Sequence, residues 1–332
     1  MSITEADESR STSPTITTRR AHLARLGVRS IGILLFYVIV LTYFGATVQN
    51  FFSSANVIGI LTLSVPLAIA AVGQTFVIVG GGFDMSVGGV AALGAVIYGI
   101  LLNAMGPWAA TGGVILAGFL GGAVNGAIVT KFKVNPLITT LAMLSVTSGS
   151  AFVITGGLTQ PVKDPSSVIW SDTMSGIPYS VIGLLVIAIV AIALLRYSSF
   201  GRRVYAVGGN REAADLAGIR SDGITIVTYM VSGLCAGLAG MFLTSQLLAI
   251  SPTVGGSLTL NSIASVVLGG AALSGGVGGV GGTLVGVLLL GTINTGLSLL
   301  QVQSYFQTII MGVVLLLAVL FGRLRDSLQR RL

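Results

Sequence analysis

From residue 30 to residue 322 the chain consists of apolar runs, each long enough to cross a bilayer as a helix of about 20 residues. Short glycine-rich or polar stretches separate them. This repetition limits the fold more than any other feature. Strands of a membrane barrel would alternate apolar and polar residues, and these runs do not. Charged residues make up 8% against 53% hydrophobic, too few to cover a soluble protein of 332 residues. The expected fold class is all-α, a polytopic membrane helical bundle of about ten transmembrane helices. The spans are expected at 30–48, 57–80, 85–105, 107–130, 136–156, 179–196, 223–249, 258–273, 280–300 and 304–322.

Charge placement orients the bundle. With the N-terminus inside, Lys163 alone among the 17 Lys and Arg residues falls outside. Both termini are then cytoplasmic, as is the polar segment 197–221. The net charge of +7 therefore marks the cytoplasmic face of a lipid bilayer, not nucleic acid. Residues 1–29 read as a disordered basic cytoplasmic tail, 30–322 as the transmembrane domain with its cytoplasmic segment 197–221, and 323–332 as a short basic cytoplasmic tail. A cleavable signal peptide is not expected, because the polar lead is long and no small-residue cleavage site follows the first apolar run. Trp108 and Trp170 fall near the outer interface, and 157–178 forms the longest outer loop, a connector or a surface for an external partner.

Residue inventory excludes several chemistries. The single cysteine, Cys235, and the single histidine, His22, leave no intrachain disulfide, no metal cluster and no buried histidine relay. There is no nucleophile–base pair and no nucleotide-binding loop. Uphill movement of a solute would thus need ions or another subunit. The spans hold almost no ionisable groups, which argues against a secondary transporter and against a strongly charged substrate.

Four stretches carry candidate chemistry. In GGGFDMSVGG (80–89), Asp84 and Ser86 lie between two apolar helices. They would line a solute pathway or hinge, or Asp84 would simply cap the next helix. Asn125, Asn135, Thr139, Thr140, Ser145, Thr147 and Ser148 flank or interrupt spans four and five, offering hydrogen bonds to a hydroxylated solute or to one another. Residues 268–282 are too glycine-rich for one continuous helix, so a broken or re-entrant segment is expected there. Residues 87–101 and 277–291 each follow a glycine cluster and hint at an internal repeat.

The fourth stretch is YSSFGRRVYAVGGNREAADLAGIRS (197–221). A short helix over 211–217 has both ends marked: Asn210 as N-cap, Glu212 in the first turn, and Gly218 as a left-handed terminator. Two turns of helix are unstable alone in water, so this one either docks into something or is a capped loop.

These residues resemble the permease subunits of bacterial ABC importers for ribose, xylose and related sugars, a group within the branched-chain amino acid permease superfamily. Residues 81–88 resemble the family's Gly-Gly-Ile-Asp-Leu-Ser-Val-Gly signature. Asn125-Gly126 and 134–141 resemble its Asn-Gly and Pro-Phe-Ile-Ala-Thr-Leu stretches, and 200–219 its cytoplasmic coupling segment. Phe83, Met85, Gly89 and Ser148-Gly149 depart from the usual pattern near the pathway. The resemblance implies two permease subunits, identical or related, forming the path. It also implies a cytosolic ABC ATPase that holds the ATP and a periplasmic sugar-binding protein. The permease itself would bind no cofactor and catalyse no reaction. ATPase coupling would fall to Arg202, Asn210, Glu212, Ala213, Ala214 and Gly218. The pathway would involve Asp84, Ser86, Asn125, Thr139 and Thr140. The alternatives are a branched-chain amino acid permease and, of another class, a self-contained channel or proton-coupled carrier using Asp84.

Overall fold

The computed structural model describes residues 16–164, 168–314 and 316. Residues 1–15, the end of the tenth expected span and the tail 323–332 lie outside them. Among the described residues twelve helices follow one another: α1 (Ile16–Thr47), α2 (Ser54–Val79), α3 (Val87–Met105), α4 (Pro107–Lys131), α5 (Pro136–Thr155), α6 (Tyr179–Ile192), α7 (Ser199–Gly209), α8 (Arg211–Leu216), α9 (Ser221–Leu247), α10 (Leu258–Leu268), α11 (Val280–Leu299) and α12 (Ser304–Val314). Seven of the described helices are long and apolar enough to cross a membrane, α6 being extended to Tyr197 by a π-turn. The helical bundle expected from the sequence is present. Helix α1 begins at Ile16, ahead of the expected span start at residue 30.

Local signals explain several boundaries. Ser53 caps α2, accepting the Asn56 N–H (3.4 Å). Pro107 and Pro136 stand at the first turns of α4 and α5, where a missing N–H costs nothing. Asn135 caps α5, accepting the Leu137 N–H (2.8 Å).

Helix α9 is the central post, packed against α2, α3 and α4. It runs antiparallel to α4 at very close range. A Cβ at Gly122 would overlap the Tyr229 carbonyl oxygen, and one at Gly118 would overlap that of Gly233. Small residues permit this approach, which gains van der Waals contact where lipid supplies no hydrophobic drive. The pairing puts Lys131 at the same end of the bundle as the 197–221 segment. Lys163 lies at the other end, its N–H bonded to Asn103 Oδ1 (2.9 Å).

The 157–178 loop contains more structure than a plain connector. Strand β1 (Gln160–Pro161) pairs antiparallel with β4 (Ala249–Ile250), and β2 (Thr173–Met174) pairs with β3 (Ile177–Pro178). Trp170 packs edge-on against Phe242 of α9 (centroids 5.4 Å apart).

After β4 the chain turns back into the bundle. Ile250 lies against Gly99, whereas Gly255 lies against the Gly88 carbonyl, about three turns deeper along α3. Helix α10 starts at that depth and has 11 residues, about 16 Å of helix and half a bilayer. The expected span 258–273 is therefore a half-helix followed by the glycine-rich turn 269–279. The irregular backbone at this depth is covered only in part: Ser251 and Pro252 are buried, whereas Gly256 and Ser257 are exposed and line a groove.

Candidate functional site

The polar segment folds as two helices joined at Asn210. Ser198 caps α7, accepting the Gly201 N–H (3.1 Å). One face of α7 (Gly201, Val204, Val207 and Gly208) is buried against the bundle. Asn210 ends α7 and caps α8, its Oδ1 accepting the Ala213 N–H (3.0 Å). At the other end Gly218 adopts φ +79°. The Ile219 N–H bonds the Ala214 carbonyl and the Gly218 N–H bonds the Asp215 carbonyl, both at 3.0 Å. This double closure satisfies the last carbonyls of α8. Arg211 forms an exposed ion pair with Asp222 at the start of α9.

Helix α8 projects from the bundle. Ala214 alone of its residues is buried, while Glu212, Ala213, Asp215 and Leu216 face outward. Leu216 is 86% exposed, a large apolar side chain at the tip of a polar element. Its place between the marked caps Asn210 and Gly218 was legible in the sequence, but a leucine looks like core until its direction is known. Arg202 is exposed on α7 and bonds Ser199 Oγ (2.8 Å). The tyrosine on the inner side of α7, Tyr205, donates its hydroxyl to the Gly278 carbonyl (2.8 Å). Burial pushes its phenol above the ordinary range, with Arg196 pulling the other way, so it stays a donor near neutral pH.

The break between α2 and α3 is a hub for four other helices. Asp84 Oδ1 accepts the Ser86 N–H (2.9 Å) and hydroxyl (2.6 Å), and its Oδ2 accepts the Ser232 hydroxyl of α9 (2.7 Å). Asn125 of α4 donates to Ser86 Oγ (2.9 Å). Thr140 of α5 accepts the Met85 N–H (2.9 Å). Thr259 of α10 accepts the Gly88 N–H (2.9 Å) and donates to the Met85 carbonyl (3.3 Å). Asp84, Ser86, Asn125, Thr139 and Thr140 are all buried, at most 5% exposed. All but Thr139, whose hydroxyl has no partner among the described residues, belong to this one network.

A groove of about 570 Å³ opens on the α10–α11–α12 face. Its polar lining consists of amides and hydroxyls: Ser257, Asn261, Asn294, Ser304, Gln307 and Thr308. Leu260, Leu290 and Met311 supply apolar wall, and among the described residues no ionisable side chain lines it. Gln307 bonds the Val302 carbonyl (2.7 Å), whereas the amides of Asn261 and Asn294 make no hydrogen bond among the described residues. Sequence reasoning did not select these residues. Isolated amides in apolar runs carry no local signal that they converge.

The comparisons with known proteins agree in direction. The family described as "Branched-chain amino acid transport system / permease component" matches residues 56–319. The chain is 38% identical over 291 residues to the ribose import permease protein RbsC of Bacillus subtilis, covering 84% of this chain and 88% of that protein. It is 41% identical over 282 residues to RbsC of Escherichia coli K12 (82% and 86% covered). It is 36% identical over 302 residues to the L-arabinose ABC transporter permease protein AraH of Azospirillum brasilense (90% and 89% covered). No solved structure matches the chain. The chain therefore belongs to this permease family of ABC importers, as a multi-pass membrane transport subunit and not an enzyme.

Proposed function

We propose that the chain carries a neutral sugar, a pentose, hexose or polyol, across the bacterial inner membrane. A separate cytosolic ABC ATPase binds and hydrolyses the ATP, and a periplasmic sugar-binding protein delivers the solute. This chain binds no cofactor and pairs with a second permease subunit. Both termini face the cytoplasm. The observation that carries the reading is the groove: amides and hydroxyls, those of Asn261 and Asn294 unbonded among the described residues, beside apolar wall and with no charged group among its described lining residues. That lining suits hydroxyls and sugar ring faces. A branched-chain amino acid would bring two charges that the groove does not compensate. The permease relatives named for ribose and L-arabinose support the same choice.

In this reading α8 is the ATPase-facing element. Arg202, Asn210, Glu212, Ala213, Ala214 and Gly218 shape or present it. Asp84, Ser86, Asn125, Thr139 and Thr140 stand behind the pathway and hold its frame, and Asn261 and Asn294 face the solute.

Uptake of labelled pentoses, hexoses, polyols and leucine by cells expressing the complete transporter tests the substrate. Sugar uptake that fails in Asn261→Leu is expected, and uptake of leucine alone would refute the sugar reading. Transport by the purified chain in liposomes without ATP would instead identify a self-contained carrier.

A further inference from the structure

The element that faces the ATPase and the groove that faces the solute lie on different helices, and two lines of direct contact join them. Both begin on α7. Gly208 is seated where α2 ends: a Cβ there would overlap the Val79 carbonyl oxygen. The Gly276 N–H also bonds that carbonyl (2.8 Å), so α7, the end of α2 and the 269–279 turn meet backbone to backbone. Phe200 of α7 stacks on Phe76 of α2 (centroids 6.3 Å apart).

The first line continues through Tyr205 to the Gly278 carbonyl, two residues before α11 begins. Helix α11 carries Asn294. The second line runs from Val79 through the 80–88 break to Thr259, which holds the Met85 carbonyl and the Gly88 N–H. Thr259 lies on α10, two residues before Asn261. The α11 wall of the groove is thus tied to α7 by the Tyr205 hydrogen bond, and the α10 wall by the Thr259 hydrogen bonds to a break that α7 meets through the close approach of Gly208 to Val79. Helix α8 itself has a single buried residue and little grip on the bundle.

We infer that α7 is the lever of the transporter, and that Tyr205 and Thr259 are positioning residues that convert its displacement into movement of α11 and α10. This rests on the importer function proposed above. Rigid helices in close-packed contact pass on displacement, and the directional hydrogen bonds fix which backbone moves with which. Neither hydroxyl touches the solute, so each acts through the helix it holds.

The experiment uses the complete transporter of permease, ATPase and binding protein in proteoliposomes, and measures solute moved per ATP hydrolysed. Tyr205→Phe and Thr259→Val each remove one hydroxyl with little change of shape. In each, that ratio is expected to fall about three- to tenfold, the weight of one neutral hydrogen bond. ATPase co-purification and stimulation of hydrolysis by the binding protein should persist. Tyr37→Phe is the control, because it removes a hydroxyl contact between α1 and α11 (3.3 Å) that belongs to neither line. Its ratio should stay at the wild-type value. An unchanged ratio in both test variants would overturn the inference, as would transport and hydrolysis falling in parallel. If the wild-type complex itself showed no ATP-dependent transport, the importer function and not the lever would be at fault.

Discussion

Asp84 is a carboxylate enclosed by protein, and its three hydrogen-bond donors come from Ser86 and Ser232. A buried charge is tolerated only when such donors are in place. The sequence offered two roles for it, cap and pathway; its contact to the Ser86 N–H is present, but Ser86 itself is the N-cap of α3 and the helix has no side-chain cap bond there. What the sequence did not show is the third contact, across 148 residues to α9. That bond makes the carboxylate a fastener between helices. Asp84→Ala is expected to destabilise the detergent-solubilised protein by about 2–4 kcal/mol, since it leaves a buried N–H and two hydroxyls without their acceptor. Ser232→Ala should cost about 1–2 kcal/mol, as one donor is lost and two remain. Thermal unfolding followed by tryptophan fluorescence would check both, and an Asp84→Ala midpoint equal to wild type would contradict the fastener role.

At the scale of elements, α8 was the most legible part of the chain. Its N-cap, acidic first turn and terminating glycine are local signals, and each is satisfied in the structure. Helix α7 was not foreseen. Its alternation of Arg, Gly and apolar residues reads as loop until a groove between α2 and α9 receives its buried face. If α8 docks on the ATPase, Leu216 is its apolar anchor. Leu216→Asp should weaken ATPase association by roughly 2 kcal/mol, about 30-fold, with no effect on membrane insertion. Co-purification in mild detergent measures this. Gly218→Pro should act similarly by distorting the end of the helix, because proline cannot adopt the positive φ found there. Binding unchanged in both variants would make α8 a loop without a docking role.

For the whole molecule, the antiparallel packing of α4 on α9 gathers the basic connections at one end and the 157–178 loop at the other. Cytoplasmic placement of the basic end predicts a labelling pattern. Cysteine introduced by Met174→Cys should react with an impermeant maleimide in intact spheroplasts. Cysteine introduced by Phe132→Cys should react only after permeabilisation. Cys235 is buried and should stay silent in both. The opposite pattern would invert the topology.

Legible in the sequence were the helical membrane class, most helix ends, and the short helix α8 with its caps. Those depend on run length, charge placement and neighbours within one turn, which are local. The tertiary structure alone decided that 258–268 is a half-helix entered at mid-bundle, that Asp84 fastens α9, and that Asn261 and Asn294 share a groove. Such facts depend on which helices approach closely, and that is set by small residues matching across distances of 100 residues or more. A glycine in an apolar run looks the same whether it faces lipid, a helix or a turning backbone. Only its partner tells them apart.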